Sequence, residues 1–170
     1  MYRLSPPSSL FALFLIASAT ASAPAAYGQV STYCTGKAGA CGVPSISWTG
    51  APKSGAVSGF VVQAAPARGA KVGILIYHDQ GQGSVPFQGG TLCLAPMALR
   101  RTINVASSGT PGECDGVFSI DMNSFASGKL GGKPAPYLST SGVTINAQWW
   151  ARDTQATGSF LSDAIEWVVG

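Results

Sequence analysis

The chain has little charge: Asp, Glu, Lys and Arg make up 10% of its 170 residues, against roughly 25% in ordinary soluble domains. Lys and Arg are scattered apart from the pair Arg100-Arg101, with no basic stripe interleaved with aromatics. The clustered footprint of a nucleic-acid binder is therefore missing from the sequence. His78 is the only histidine, and no two cysteines stand in Cys-x-x-Cys spacing, so zinc has no ligand set. Gly-x-Ser-x-Gly is absent, and the nearest stretch, Gly55-Ala-Val-Ser58-Gly59, has the wrong spacing for a nucleophile elbow. Past the N-terminal segment, no apolar run approaches the ~20 residues of a membrane span. A helix of three turns is hard to place anywhere past residue 28.

What is present begins with an export signature. Arg3 is followed by an apolar core from Leu10 to Ile16 and a small-residue stretch from Ala17 to Ala26. That order predicts a secretory signal peptide over residues 1–28. Cleavage is placed after Gly28 rather than Ala23, because Pro24 follows the earlier position. Residues 29–170 then form one domain, long enough to bury a real core. A net charge of +3 falls to +2 when Arg3 leaves.

Four cysteines follow: Cys34, Cys41, Cys93 and Cys114. An even count in an exported chain predicts two disulfides, with three connectivities open. Proximity in sequence favours Cys34–Cys41 and Cys93–Cys114, the second worth roughly 3 kcal/mol by chain entropy.

Apolar or alternating segments are broken by Gly, Pro, Asn and Asp about every ten residues, the spacing of a sandwich or barrel. Strands are predicted at 45–48, 59–64, 72–78, 91–94, 102–106, 117–122, 143–151 and 164–169. In Val72–His78 both alternating faces are apolar, which places the strand mid-sheet with cover on each side, and His78 on the inward face. Val143–Ala151 alternates most clearly, with Val143, Ile145, Ala147, Trp149 and Ala151 inward. Thr144, Asn146, Gln148, Trp150 and Arg152 then face outward. A single helical turn is expected within 123–130. The predicted fold is all-β, a single-domain antiparallel β-sandwich.

Chemistry-bearing residues are few. Gly81-Gln-Gly83-Ser-Val-Pro86 superficially matches a dinucleotide loop, but Pro86 stands where the third glycine belongs and no helix follows; a hairpin connection is expected and no cofactor. Asp121 and Asp153, with His78, are the candidates for a hydrolase, but strand-end Asp and Asn commonly cap turns instead. Calcium at Asp121 and Asn123 lacks the rest of a ligand loop. Trp150, alongside Gln148 and Arg152, is the candidate ligand-binding set: an outward indole flanked by hydrogen-bonding groups can stack on a sugar ring.

Several phrases occur together and in order: Phe87-Gln-Gly-Gly-Thr-Leu-Cys93, Arg100-Arg101-Thr102, Cys114-Asp-Gly116 and Ser119-Ile-Asp-Met-Asn123. Leu130-Gly-Gly-Lys-Pro-Ala-Pro136, Gln148-Trp-Trp-Ala-Arg-Asp153 and Leu161-Ser-Asp-Ala164 follow. As a set, spanning about Tyr33 to Val169, they resemble a domain that recurs at the C-terminal end of large exported bacterial proteins. Relatives often end in a further cysteine, whereas this chain ends Trp167-Val-Val-Gly170. The resemblance implies an extracellular module used as an appendage and carries over no catalytic residue.

The expectation is a non-catalytic, secreted or periplasmic β-sandwich for surface assembly, adhesion or protein–protein contact, its partner a protein or glycan. A carbohydrate-binding module using Trp150 is the alternative, and a hydrolase the third reading.

Overall fold

A computed structural model of the chain describes Met1 and residues 28–154 and 158–170. The expected signal peptide lies, apart from its first and last residues, outside the described residues.

The molecule is an antiparallel β-sandwich. Its larger sheet is built on three long neighbours: β4 (Val72–His78), β10 (Thr144–Asp153) and β11 (Gly158–Val168). β1 (Val30–Tyr33) closes one side against β11, and two short strands, β7 (Arg100–Arg101) and β8 (Val105–Ala106), share the open side of β4. The smaller sheet runs β2 (Ser45–Gly50), β3 (Phe60–Ala67), β9 (Gly116–Asp121). A hairpin of β5 (Gln82–Phe87) and β6 (Gly90–Leu94) pairs only with itself. After β9 come one short helix, α1 (Met122–Ala126), and a 3-10 turn at Pro136–Ser139.

Strand alternation makes the core. Leu75, Tyr77, Ile145, Ala147, Trp149, Ala151, Ile165 and Trp167 face inward from the larger sheet and are buried. Ile46, Phe60, Val62, Ala64, Phe118 and Ile120 meet them from the smaller. Aromatic pairs lock the layers together: Phe60 stands edge-on to Trp167 at 5.3 Å, and Phe118 stacks on Trp149 at 5.5 Å. Gly73 is required on the inner face of β4, because a Cβ there would lie 2.9 Å from the Phe118 ring.

The predicted strands fall on observed ones, although β11 begins six residues before 164; β1 and β7 have no predicted counterpart, and two further segments differ. Residues 102–106 do not form one strand: Thr102 leaves the ladder, and only Val105–Ala106 pairs again. Gln82–Phe87, expected as a connection, is itself a strand. Its turn is Gln88-Gly89, both at positive φ (49° and 78°), the two-residue geometry that suits right-twisted hairpins. Pro86 is tolerated there because, one pair from such a turn, the backbone N–H would point away from β6.

The sequence-based disulfide pairing is corrected. Cys34 bonds Cys93 and Cys41 bonds Cys114. The segment from Cys34 turns back only at its end, where Gly39 and Gly42 exchange backbone hydrogen bonds around Cys41. Lys37 pairs with Leu161 at the margin of β11, so the two cysteines are carried to different partners. Crosslinks spanning 59 and 73 residues remove more chain entropy than local ones, about 4 kcal/mol each. Two disulfides place the chain in an oxidising compartment.

Candidate functional site

The hairpin decides which part of the larger sheet's outer face is open. Cys93 on β6 is tied to Cys34, its backbone N–H donates to Gln148 Oε1 at 2.9 Å, and its carbonyl accepts Tyr33 Oη at 3.1 Å. Gln148 Nε2 donates to the carbonyls of Ser162 and Thr91 at 2.7 and 3.2 Å. Gln148 is therefore wholly buried, and it does not belong to a surface site. Alternation puts it on the outer face as expected, but the hairpin covers that face. Asn146 is buried by the same cover and donates to Glu166 Oε2 and Tyr33 Oη. Burial first, and the nearby Glu166 carboxylate, push the Tyr33 phenol up to about 12 although the Asn146 bond pulls it down.

His78 also sits on the outer face, opposite Asn146, rather than on the inward face; it is buried because the segment carrying Met97 lies over it. Its Nδ1 donates to the Met97 carbonyl at 3.2 Å. Asp153 stands seven residues along β10 from His78's partner, roughly 23 Å away at strand rise. Its carboxylate accepts the Ala40 N–H at 2.6 Å. Asp121 belongs to the other sheet. It caps α1 by accepting the Ser124 N–H at 3.0 Å and also accepts the Gly59 N–H at 2.7 Å. Burial raises its carboxyl, but hydrogen bonds from Gly59, Ser124 and Phe60 outweigh that and hold it below its ordinary value. Asn123 accepts from Lys53 N and donates to the carbonyls of Ala51 and Ser58, so it pins the 51–59 loop. The three hydrolase candidates thus lie apart, each engaged in a structural hydrogen bond.

Beyond the hairpin the outer face is open, and Trp150 lies there, half-exposed. Its indole N–H donates to Gln88 Oε1 at the hairpin tip, 3.0 Å away. Trp150 pairs with Ile74 on β4 and lines a hollow of about 590 Å³ with Lys71, Asn104 and Arg152. A second hollow of about 670 Å³ runs along the open side of β4 under Ile74, Ile76 and the 99–104 segment, with Lys133 at its wall. Ile74, Arg101 and Asn104 line both, so the two form one groove.

The broken edge strand builds this groove. Thr102 replaces a backbone ladder bond with its side chain, Oγ1 accepting the Leu75 N–H at 3.1 Å while its own N–H donates to the Leu75 carbonyl. Residues 103 and 104 pair with no strand, Ile103 packing against the core, before β8 resumes pairing at Val105.

Of the sequence candidates, the groove takes Trp150 and Arg152 and omits Gln148. Lys71, Asn104 and Lys133 were not expected; they come from separate segments, and only Arg100-Arg101 gave a local signal. No family model, curated protein or solved structure matches the chain. Among the described residues no helix is long and apolar enough to cross a membrane.

Proposed function

We propose that the chain is a non-catalytic, exported module that binds a glycan through the groove beside Trp150, serving adhesion or surface assembly. One observation carries the reading: a half-exposed indole is fixed by a hydrogen bond at its pyrrole edge while it lines a hollow with Val72, Ile74, Asn104 and Arg152. A tryptophan held this way offers a rigid apolar surface at small entropic cost, which suits stacking on the C–H face of a sugar. Ile74 and Ile76 extend that surface, and Asn104 adds hydrogen-bonding capacity.

The sequence supports export through its N-terminal segment, and the two disulfides agree with that destination. The likeness to an appended domain of exported proteins fits a role in attachment. The non-catalytic part of the reading rests on the separation of His78, Asp121 and Asp153.

The test is a polysaccharide panel, run for binding and for turnover with the mature protein and with Trp150→Ala. Binding without hydrolysis, weakened about tenfold or more by the substitution while the circular dichroism spectrum and Tm hold, is expected. Absence of binding to every glycan, or hydrolysis lost on His78→Ala, would overturn it.

A further inference from the structure

The groove collects charge of one sign. Lys71, Arg100, Arg101, Lys133 and Arg152 line it, half of the ten Lys and Arg in the whole chain, and no carboxylate lines it. Four of the five are exposed, Lys71 being half-buried. Among the described residues none of these five side chains is held in an ion pair. The carboxylates nearest in sequence do not line it: Asp79 accepts Gln80 Nε2 and lies towards Tyr137, which its charge and that of Arg100 both reach, while Asp153, next to Thr154, accepts the Ala40 N–H.

Folding has brought these charges together against their repulsion. They come from the β3–β4 turn, the broken edge strand, the loop after α1 and the end of β10. In a chain with so few charges, that convergence at one concavity is a feature of the surface that an anion would relieve. A cleft with low-dielectric walls also focuses the field of its lining charges, which raises local anion concentration.

We propose that the ligand of this groove is an acidic glycan, its carboxylates met by these cations and one sugar ring stacked on Trp150; this rests on the glycan-binding reading above. Three of the five cations are arginines, whose planar forks match carboxylates two bonds at a time. Register sets their spacing along β4. Arg101 stands opposite Ile76, Trp150 opposite Ile74, and Arg152 two residues beyond Trp150. Arg152 therefore stands about 6–7 Å from Trp150 along β10, and Arg101 about 12 Å from it, two strands across and two residues along, so positive groups flank the indole on both sides. A nucleic-acid strand fits less well, because such grooves stack successive bases on several aromatics and this one offers Trp150 alone.

The experiment uses the mature, disulfide-intact protein with polygalacturonate, alginate and hyaluronate, each beside its carboxyl-reduced form, and single-stranded DNA as a polyanion control. At least one carboxylated glycan is expected to bind, with affinity falling as salt rises. The carboxyl-reduced form should bind about tenfold more weakly or not at all, as should Arg101→Gln/Arg152→Gln with the native form. Trp150→Ala should weaken carboxylated-glycan binding and leave residual DNA binding unchanged. Equal binding of native and carboxyl-reduced glycans would overturn the acidic-ligand proposal and leave glycan binding standing. Binding that tracks charge alone, with DNA as good a ligand and Trp150→Ala silent, would overturn both, and failure of all three carboxylated glycans to bind would overturn the acidic-ligand proposal.

Discussion

The indole N–H of Trp150 on β10 donates to Oε1 of Gln88 at the hairpin tip across 62 residues of sequence. Gln88 is itself held from the other side, its carbonyl accepting Lys37 Nζ. The hairpin thus buries one half of the outer face and fixes the aromatic that begins the open half. Gln88→Ala removes an exposed hydrogen bond worth about 0.5–1.5 kcal/mol. Ligand affinity is expected to fall about 2- to 10-fold, with tryptophan emission shifted and Tm little changed. Unaltered affinity would show that the bond does not position the platform.

The disulfides carry a prediction that a peptide map reads directly. Lys37, Lys71 and Arg100 separate the four cysteines, so trypsin releases each on its own peptide. Non-reducing digestion should link Cys34 to Cys93 and Cys41 to Cys114. The double variant Cys34→Ser/Cys93→Ser should lose about 4 kcal/mol or less. It should also expose amides near Cys93 and Gln148 to hydrogen exchange, since the tether over that face is gone. A peptide joining Cys34 to Cys41 would contradict the topology.

Gly73 tests the packing between the sheets. A methyl group there would meet Phe118 at 2.9 Å and both Ala151 Cβ and the Trp150 carbonyl at 3.0 Å. Gly73→Ala should cost about 1–3 kcal/mol by overpacking and lower Tm by on the order of 5 °C. A neutral or stabilising effect in thermal unfolding would contradict the close approach of Phe118 to β4.

Two aspartates should give pH signatures of opposite sign. Burial raises the Asp163 carboxyl above its ordinary 3.8, although it accepts the Ile46 N–H and so joins β11 to β2. The folded state then holds that proton more tightly than the unfolded one. Its contribution is fully present below 3.8 and is lost as pH rises through the folded value. Asp121, held low, contributes above 3.8, and that stability is lost as pH falls through its folded value. Denaturant midpoints measured across the acid range should show Asp163→Asn flattening the first slope and Asp121→Asn the second. The same change of slope in both variants would contradict the two environments.

Much of the sandwich was legible because alternation is a local property. Val143–Ala151 shows which residues face the core, and Trp149 and Ile145 are buried as that pattern requires. Cover on the second face is not local. Gln148 and Asn146 alternate like surface residues, yet a hairpin more than fifty positions earlier lies over them. The strand Gln82–Phe87 is not legible in the sequence because Gly and Pro read as punctuation, and only the Gln88-Gly89 turn geometry reveals the pairing. Disulfide partners are hidden for a similar reason: the path of the 34–41 segment along β11 decides them, not sequence distance. In the groove, Trp150 and Arg152 could be named from one strand, whereas Lys71 and Lys133 gain meaning only when their loops meet.

The most direct test follows the four indole N–H signals of Trp48, Trp149, Trp150 and Trp167 in a ¹H–¹⁵N spectrum while a carboxylated oligosaccharide is added. The Trp150 signal should move, with backbone amides of residues 71–74 and 100–104, while those of buried Trp149 and Trp167 shift far less. Shifts centred on Trp48 in the opposite sheet, with Trp150 unmoved, would contradict the groove as the binding site.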